Sequence, residues 1–577
     1  MRFPLLRLAG LLCLLIVPAV AGDDPTQVGG VTFTAKTEVV LVPVVVSDKS
    51  GNHVAGLTRD DFEIREDGKS KAIASLDEIK STTNRPAHVA TDRGVYTNEL
   101  SADASQKRLT IFALDLVNTP FLDQSFARRQ LMKFLANRVS SQEPIALVAI
   151  SGDGIKVLHD FTSDPAVLVA ALKRVSGELP ALQGTGLGSE FSSEESALSN
   201  FSAQDVAFVE LKERDAIMVT LESFQHVAEA YAGVPGRKSL VWATAGFPFG
   251  LDPTNGTIVM PRVFSQGAGY FTTANGGQVT MTRDGALPAL PDNTKIQSGS
   301  DLTSLEPLYQ RTLQMLNDAN ICVYPVDARG LVTFFPGADV SQIRGVESFK
   351  RALWEATVQT MNDFADMTGG KAFYNRNDLD AAFQKAADDS TSYYMLSYAL
   401  EKNAKPGWHK LQVKVKRSGT EVRSRNGFFV LDAKKVDARK MDVSMALASP
   451  LDYTAVPMTV RWASVLPAGE KGSNKKKAHF EVNLPTTSKV VDAANNNLLS
   501  LEFVAVARTP DGSSADQFAQ HLETSFKGAN LELYQKGGLT YGNDILVPPG
   551  EYSVRFVVRN DLDGRIGSVT APLRVTP

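Results

Sequence analysis

Leu109-Thr110-Ile111-Phe112-Ala113-Leu114-Asp115 is a run of apolar residues, broken by one threonine, that ends in an acid. Leu116-Val117-Asn118-Thr119-Pro120 follows it, and helical spacing then runs from Asp123 to Val139. A strand that is apolar at successive positions, rather than at every second one, is covered on both faces. The pattern recurs at Ile145 to Ile150, at Ser239 to Thr244 and at Ile321 to Val326, the last closing on Asp327. Lys156 to Phe161 and Lys371 to Tyr374 read as shorter strands. Between them stand helical patterns: one opened by Ser163-Asp164-Pro165 with proline in its first turn, then Asp205 to Tyr231, Leu305 to Asn317, Val346 to Met367 and Asp378 to Asp389. Strands of this kind alternating with helices predict a doubly wound, Rossmann-like α/β domain over 108–390. Two long Gly-, Ser- and Pro-rich stretches, 180–202 and 247–302, swell it as loops.

On either side the pattern turns to strands. Residues 36–80 form a small β unit: a valine-rich strand from Val39 to Val46, a turn at Asp48 to Asn52, and Phe62-Glu63-Ile64-Arg65-Glu66 alternating at period two before the turn Asp67-Gly68. Residues 81–107 are polar and read as a linker. Residues 391–432 carry three strands, Tyr393 to Tyr398, His409 to Lys416 and Glu421 to Val430. Each β segment is too short to stand alone, so the two are expected to pair, with the α/β domain inserted between them. From 434 to 577, short strands and turns at regular spacing predict a separate, Ig-like β-sandwich.

Composition narrows the function classes. Among 577 residues, 43% are hydrophobic and 21% charged, with a formal net charge of −4. That is ordinary globular usage, and it excludes a collagen, a low-complexity chain and a wholly disordered one. Near-neutral charge offers no generic attraction for nucleic acid. The first 21 residues read as an export signal: Arg2 and Arg7, the apolar run Leu8 to Val17, then Ala19-Val20-Ala21. That run is too short for a comfortable membrane span. Residues 22–35 read as a flexible lead. Cleavage would remove Cys13 and leave Cys322, in the apolar run Ile321 to Tyr324, as a buried core thiol with no disulfide partner. An exported chain that is periplasmic or extracellular, without a transmembrane segment after cleavage, is the expectation.

Searches for catalytic motifs return little. The seven histidines show no helix-ligand spacing, and no G-x-S-x-G elbow is present. Gly236-Arg237-Lys238-Ser239 precedes a strand, where a phosphate loop would follow one. Gly184 to Gly188 lies in a long loop rather than a strand-to-helix turn, and Lys475-Lys476-Lys477 reads as a solvated charge run. Ligands of open parallel sheets bind at the carboxyl ends of strands. There Asp115, Asn118 and Thr119 supply a carboxylate and short oxygen-bearing side chains, a set that suits a hard cation such as Mg2+. The alternative is that Asp115 and Thr119 cap the turn and the following helix. Asp115, Asp153 and Asp327 also place acids near strand ends, where paired carboxylates support hydrolysis, although Asp327 can equally pair with Arg329.

Four motifs carry a resemblance. They are Leu57-Thr58-Arg59-Asp60-Asp61-Phe62-Glu63-Ile64-Arg65-Glu66-Asp67-Gly68, Tyr324-Pro325-Val326-Asp327-Ala328-Arg329-Gly330-Leu331, Thr368-Gly369-Gly370-Lys371-Ala372-Phe373-Tyr374-Asn375-Arg376-Asn377-Asp378-Leu379, and the strand Tyr393 to Tyr398. In these the chain resembles the von Willebrand factor A (VWA) family, and within it a group of exported bacterial VWA-related proteins, over about residues 35 to 430. The resemblance implies a metal-ion-dependent adhesion site built on D-x-S-x-S after the first strand, a loop threonine and a distal T-D-G turn. Asp115 matches the first acid and Thr119 the second serine position, but Val117 stands at the first serine and Thr244-Ala245-Gly246 lacks the distal acid. Thr185 is the nearest loop threonine. The site is therefore expected to be degenerate, with no cofactor needed and Mg2+ the one ion to consider.

The function expected is a non-catalytic binding module acting on a protein partner through the loops 180–202 and 247–302, with Phe264, Tyr270 and Phe271 as contact candidates. An envelope assembly or structural component, and a carboxylate-dependent hydrolase, are the rivals.

Overall fold

The computed structural model describes residues 39–80, 94–99, 109–138, 143–175, 177, 203–247, 250–251, 258–259, 305–332, 343–389, 391–401, 404–430, 438–467 and 474–576. The export signal, the lead, the loop 180–202 and most of 247–302 lie outside them, and with them Cys13, Thr185, Phe264, Tyr270 and Phe271.

The central unit is built on a five-stranded sheet. Its spatial order is Ile321–Asp327, Lys238–Thr244, Leu109–Asp115, Ile145–Ser151 and Gly154–Thr162. The first four run parallel and the last is an antiparallel edge. Every residue of the four parallel strands is buried, which is why their sequences do not alternate. Odd and even positions feed two different cores. Leu109, Ile111 and Ala113 face the helices Ala203–Tyr231 and Glu306–Asp318, together with Phe364 and Met367 of Ile343–Thr368. Phe112 and Leu114 face Phe121–Ala136, Pro165–Lys173 and Leu379–Asp388. The segment Lys371 to Tyr374, expected as a strand, contributes a single parallel bridge, Val326 to Phe373. Gly370, just before it, packs so close that a Cβ there would sit 1.9 Å from the Val323 carbonyl oxygen.

Two β units flank this sheet. In the first, Val39–Asp48 pairs with Ser392–Ala399 and Thr420–Arg423, while Phe62–Glu66 pairs with Gly407–Val415. The two four-stranded sheets close over Val42, Val44, Ile64, Leu396 and Leu411. The second joins Thr459–Pro467, Lys476–Leu484 and Leu539–Val547 in one sheet, and Leu498–Arg508, Ser514–Ser525, Gly550–Asn560 and Ile566–Val575 in the other.

The sandwich has an edge strand that the linker reading of 81–107 does not allow. Val95–Thr97 lies antiparallel to Thr459–Pro467. Asn98 fixes it: its amide donates to the Tyr453 and Val456 carbonyls at 2.5 and 2.9 Å, and its side-chain oxygen accepts from the Met458 N–H at 2.8 Å. A three-residue strand has no readable periodicity; a buried asparagine serving three backbone groups holds it instead.

Candidate functional site

After Leu109–Asp115 the chain enters Phe121–Ala136 on one face of the sheet, while Phe247, three residues after Lys238–Thr244, packs on the other face with Glu306–Asp318. Adjacent strands whose connections diverge in this way leave a crevice at their carboxyl ends. Asp115 stands there and is 2% exposed. Its Oδ1 accepts from the Val117 and Asn118 backbone N–H groups at 3.1 and 2.9 Å. Its Oδ2 accepts from Asn118 Nδ2, Trp242 Nε1 and Thr244 Oγ1 at 2.8, 3.0 and 2.7 Å. Burial pushes the carboxyl up, and the donors from Asn118, Thr244 and Trp242 pull against it.

The neighbours are committed too. Asn118 Nδ2 also donates to Thr220 Oγ1 at 2.9 Å, and Thr119 Oγ1 accepts from the Ala245 N–H at 3.2 Å. Gln124, on the first turn of the next helix, donates to the carbonyls of Leu116 and Thr119 and so stitches the loop to that helix. The structure thus brings Asp115, Asn118 and Thr119 together. A hard cation requires oxygens with free lone pairs. Two carboxylate oxygens that already take five donors, one of them an indole, do not fit Mg2+. The Val117 side chain turns into the core, and Ala245 presents no ligand.

The other acids near strand ends have their own partners. Asp327 is fully buried, and the Arg329 guanidinium grips both of its oxygens at 2.8 and 2.9 Å. Arg329 reaches on to Thr357 Oγ1 at 3.0 Å. Asp153 projects from the hairpin turn, 88% exposed, beside Lys156. Asp123, on the first turn after the central strand, has its carboxyl pushed up to about 6 by burial, with Arg329 opposing and Asp327 adding to the rise.

Around these spent polar groups the rim carries exposed apolar side chains that sequence reasoning passed over. Phe121 and Leu122 open the helix after the central strand, 41% and 77% exposed. Leu331 follows Asp327 by four residues and is 51% exposed, its N–H held by Asn377 Oδ1 at 2.9 Å. Tyr374, 38% exposed, stands edge-on to Trp354 with ring centres 6.4 Å apart. The one available signal is that Phe121 and Leu122 are adjacent apolar residues in a first turn, where a single inward stripe does not need both.

No protein-family model matches the chain, and no curated protein does. Among solved structures, the vWF domain of the type V pili tip protein Mfa5 from Porphyromonas gingivalis is similar at 11% identity and a TM-score of 0.24, covering 49% of this chain and 94% of that one. A glycosyl hydrolase family 2 member from Bacteroides cellulosilyticus is similar at 10% identity and a TM-score of 0.15, covering 32% of this chain and 20% of that one. A Bacteroides uniformis beta-glucuronidase is similar at 11% identity and a TM-score of 0.14, covering 32% and 19%. Likenesses at these scores carry no argument about function. Among the described residues, no helix is long and apolar enough to cross a membrane.

Proposed function

We propose that the chain is an exported, non-catalytic binding protein whose central α/β unit is VWA-like and doubly wound, and that it engages a protein partner in the cell envelope without a metal ion at Asp115. The observation that carries this reading is the rim at the strand carboxyl ends. Phe121, Leu122, Leu331 and Tyr374 are exposed there, around acids whose oxygens are already spent on Asn118, Trp242, Thr244 and Arg329. Large apolar residues left in water at the place where such sheets bind ligands favour association over hydrolysis. Carboxylates sealed by internal donors favour a degenerate adhesion site over a working one. An assembly role in the envelope differs only in the identity of the partner.

The test is affinity capture from the envelope fraction of the source organism with the full chain, beside the double variant Leu122→Glu, Leu331→Glu. Both positions are exposed, so the variant should melt within a degree or two of the wild type. A polypeptide retained by the wild type in EDTA and lost with the variant supports the reading. Retention that survives the variant, or that EDTA abolishes, overturns it.

A further inference from the structure

The first β unit holds a cluster that none of the foregoing uses. Glu66 ends the strand Phe62–Glu66, Asp67 follows in the turn, and His409 comes from Gly407–Val415, 343 residues from Glu66 in the chain and paired beside it. His409 Nδ1 lies 3.1 Å from Glu66 Oε1 and 3.1 Å from Asp67 Oδ2. Its Nε2 lies 2.8 Å from the Lys405 carbonyl oxygen. A carbonyl only accepts, so Nε2 carries a proton. A neutral ring then aims its Nδ1 lone pair at two carboxylate oxygens, an arrangement of three acceptors that needs a positive charge among them.

A second feature points the same way. The Glu66 side chain is 6% exposed and His409 is 9% exposed; Glu66 Oε2 has no donor at hydrogen-bond distance, and the Lys71 ammonium that pairs with it at 3.6 Å is shared with Glu401 at 2.7 Å. Tyr398 is the other titratable group beside this carboxylate, its phenol pushed up first by burial and then by Glu66. An imidazolium proton on Nδ1 would answer the conflict at Oε1 and Oδ2 but not at Oε2. An ion seated among Nδ1, Oε1 and Oδ2 answers the conflict there with a single charge.

We propose that Glu66, Asp67 and His409 form a binding site for a first-row divalent transition ion such as Zn2+. The candidate ligand atoms all lie within 4.8 Å of one another, and ligand atoms on a tetrahedral zinc bonded at about 2.0 Å are about 3.3 Å apart. One imidazole with two carboxylates and an open position is a zinc-type set, whereas Mg2+ and Ca2+ take oxygen alone. Outer contacts already orient the ligands: the Lys405 carbonyl fixes the ring, and the Lys410 N–H holds Asp67 Oδ1 at 2.8 Å, leaving Oδ2 to face the ring. Asp67 is 47% exposed and gives an ion its way in. Bound there, the ion staples the two chain segments that flank the central domain, a closure that constrains the unfolded chain.

The experiment is a competitive titration of the metal-free full chain with Zn2+, repeated on Asp67→Asn, His409→Gln and the control His479→Gln, which alters a different His–acid pair. Asp67 has a positive φ of 50°, which asparagine accepts readily, so that variant keeps its fold. Expected are one zinc per chain, an affinity at least tenfold weaker in Asp67→Asn and His409→Gln, no change in His479→Gln, and a melting temperature that rises with zinc in the wild type alone among the wild type and the two site variants. No saturable binding below about 100 μM, or binding indifferent to the two site variants, overturns the proposal and leaves His409 as an imidazolium clamp.

Discussion

At the residue scale, Asp115 shows how one side chain can be read two ways from sequence. An acid at a strand's carboxyl end, followed by Asn118 and Thr119, was legible as a site. Whether its oxygens face a ligand or the protein depends on Trp242 and Thr244, which lie 127 and 129 residues away and enter only by strand pairing. Of the alternative, that Asp115 and Thr119 cap the turn and the next helix, the geometry shows the Asp115 half, which accepts from the Val117 and Asn118 N–H groups, whereas Thr119 accepts from Ala245 and Pro120 stands at the helix cap. Asp115→Asn therefore belongs to stability. It sets an NH2 against donors that need an acceptor, at a cost of about 2–4 kcal/mol. Urea unfolding measures it; a shift under about 0.5 kcal/mol would mean the carboxylate is not the hub of this crevice.

At the element scale, the helix Ala203–Tyr231 was legible from periodicity, but not what its far end meets. Glu229 is half-buried there near Arg311, Asp442 and Arg559, and desolvation, helped by Asp442 and Asp318 and opposed by Arg311 and Arg559, pushes its carboxyl up to about 7. Folding thus favours the protonated form. The cost of ionising Glu229 is absent at pH 4, grows as pH rises toward 7, and is complete above it. Glu229→Gln is expected to stabilise the protein by about 1–3 kcal/mol at pH 8 and by almost nothing at pH 4. Unfolding midpoints at the two pH values decide it, and an equal effect at both would remove the titration as the cause. The edge strand Val95–Thr97 makes the same point: three residues in a polar stretch carry no pattern, and Asn98 finds its partners more than 350 residues downstream.

At the scale of the whole molecule, the units expected to be separate share a core. One cluster holds Ile217, Phe224 and Leu313 of the central unit, Phe429 of the first β unit, and Tyr453, Val557 and Ile566 of the C-terminal sandwich. At Gly233 a Cβ would sit 1.9 Å from the Thr454 carbonyl oxygen, so the sandwich backbone lies directly on the helix end. His226 Nδ1 meets Tyr453 Oη at 2.8 Å. On the opposite side, Asp389 joins the central unit to the first β unit through Arg237, Tyr324 and Arg423; burial opposes its charge, and Arg423 and Arg237 outweigh that and hold the carboxyl low. Calorimetry is expected to show one cooperative transition for the whole chain, and removal of 438–577 to lower the melting temperature of the remainder by 10 °C or more, because it strips Tyr453 and Thr454 from His226, Ala230 and Gly233. Two well-separated transitions would mean the shared cluster is too weak to couple the units.

What the residues determined by themselves was local: which runs are covered on both faces, as in Leu109–Asp115, which alternate, as in Phe62–Glu66, and where turns such as Asp67-Gly68 must fall. Those follow from side-chain periodicity and backbone sterics, which act over a few positions. Tertiary structure alone decided which polar groups are free. Trp242 and Thr244 on Asp115, and His409 between Glu66 and Asp67, are meetings of distant segments. Hydrogen bonds and charges act only at contact or nearly so, and contact between residues hundreds of positions apart is set by how the cores close.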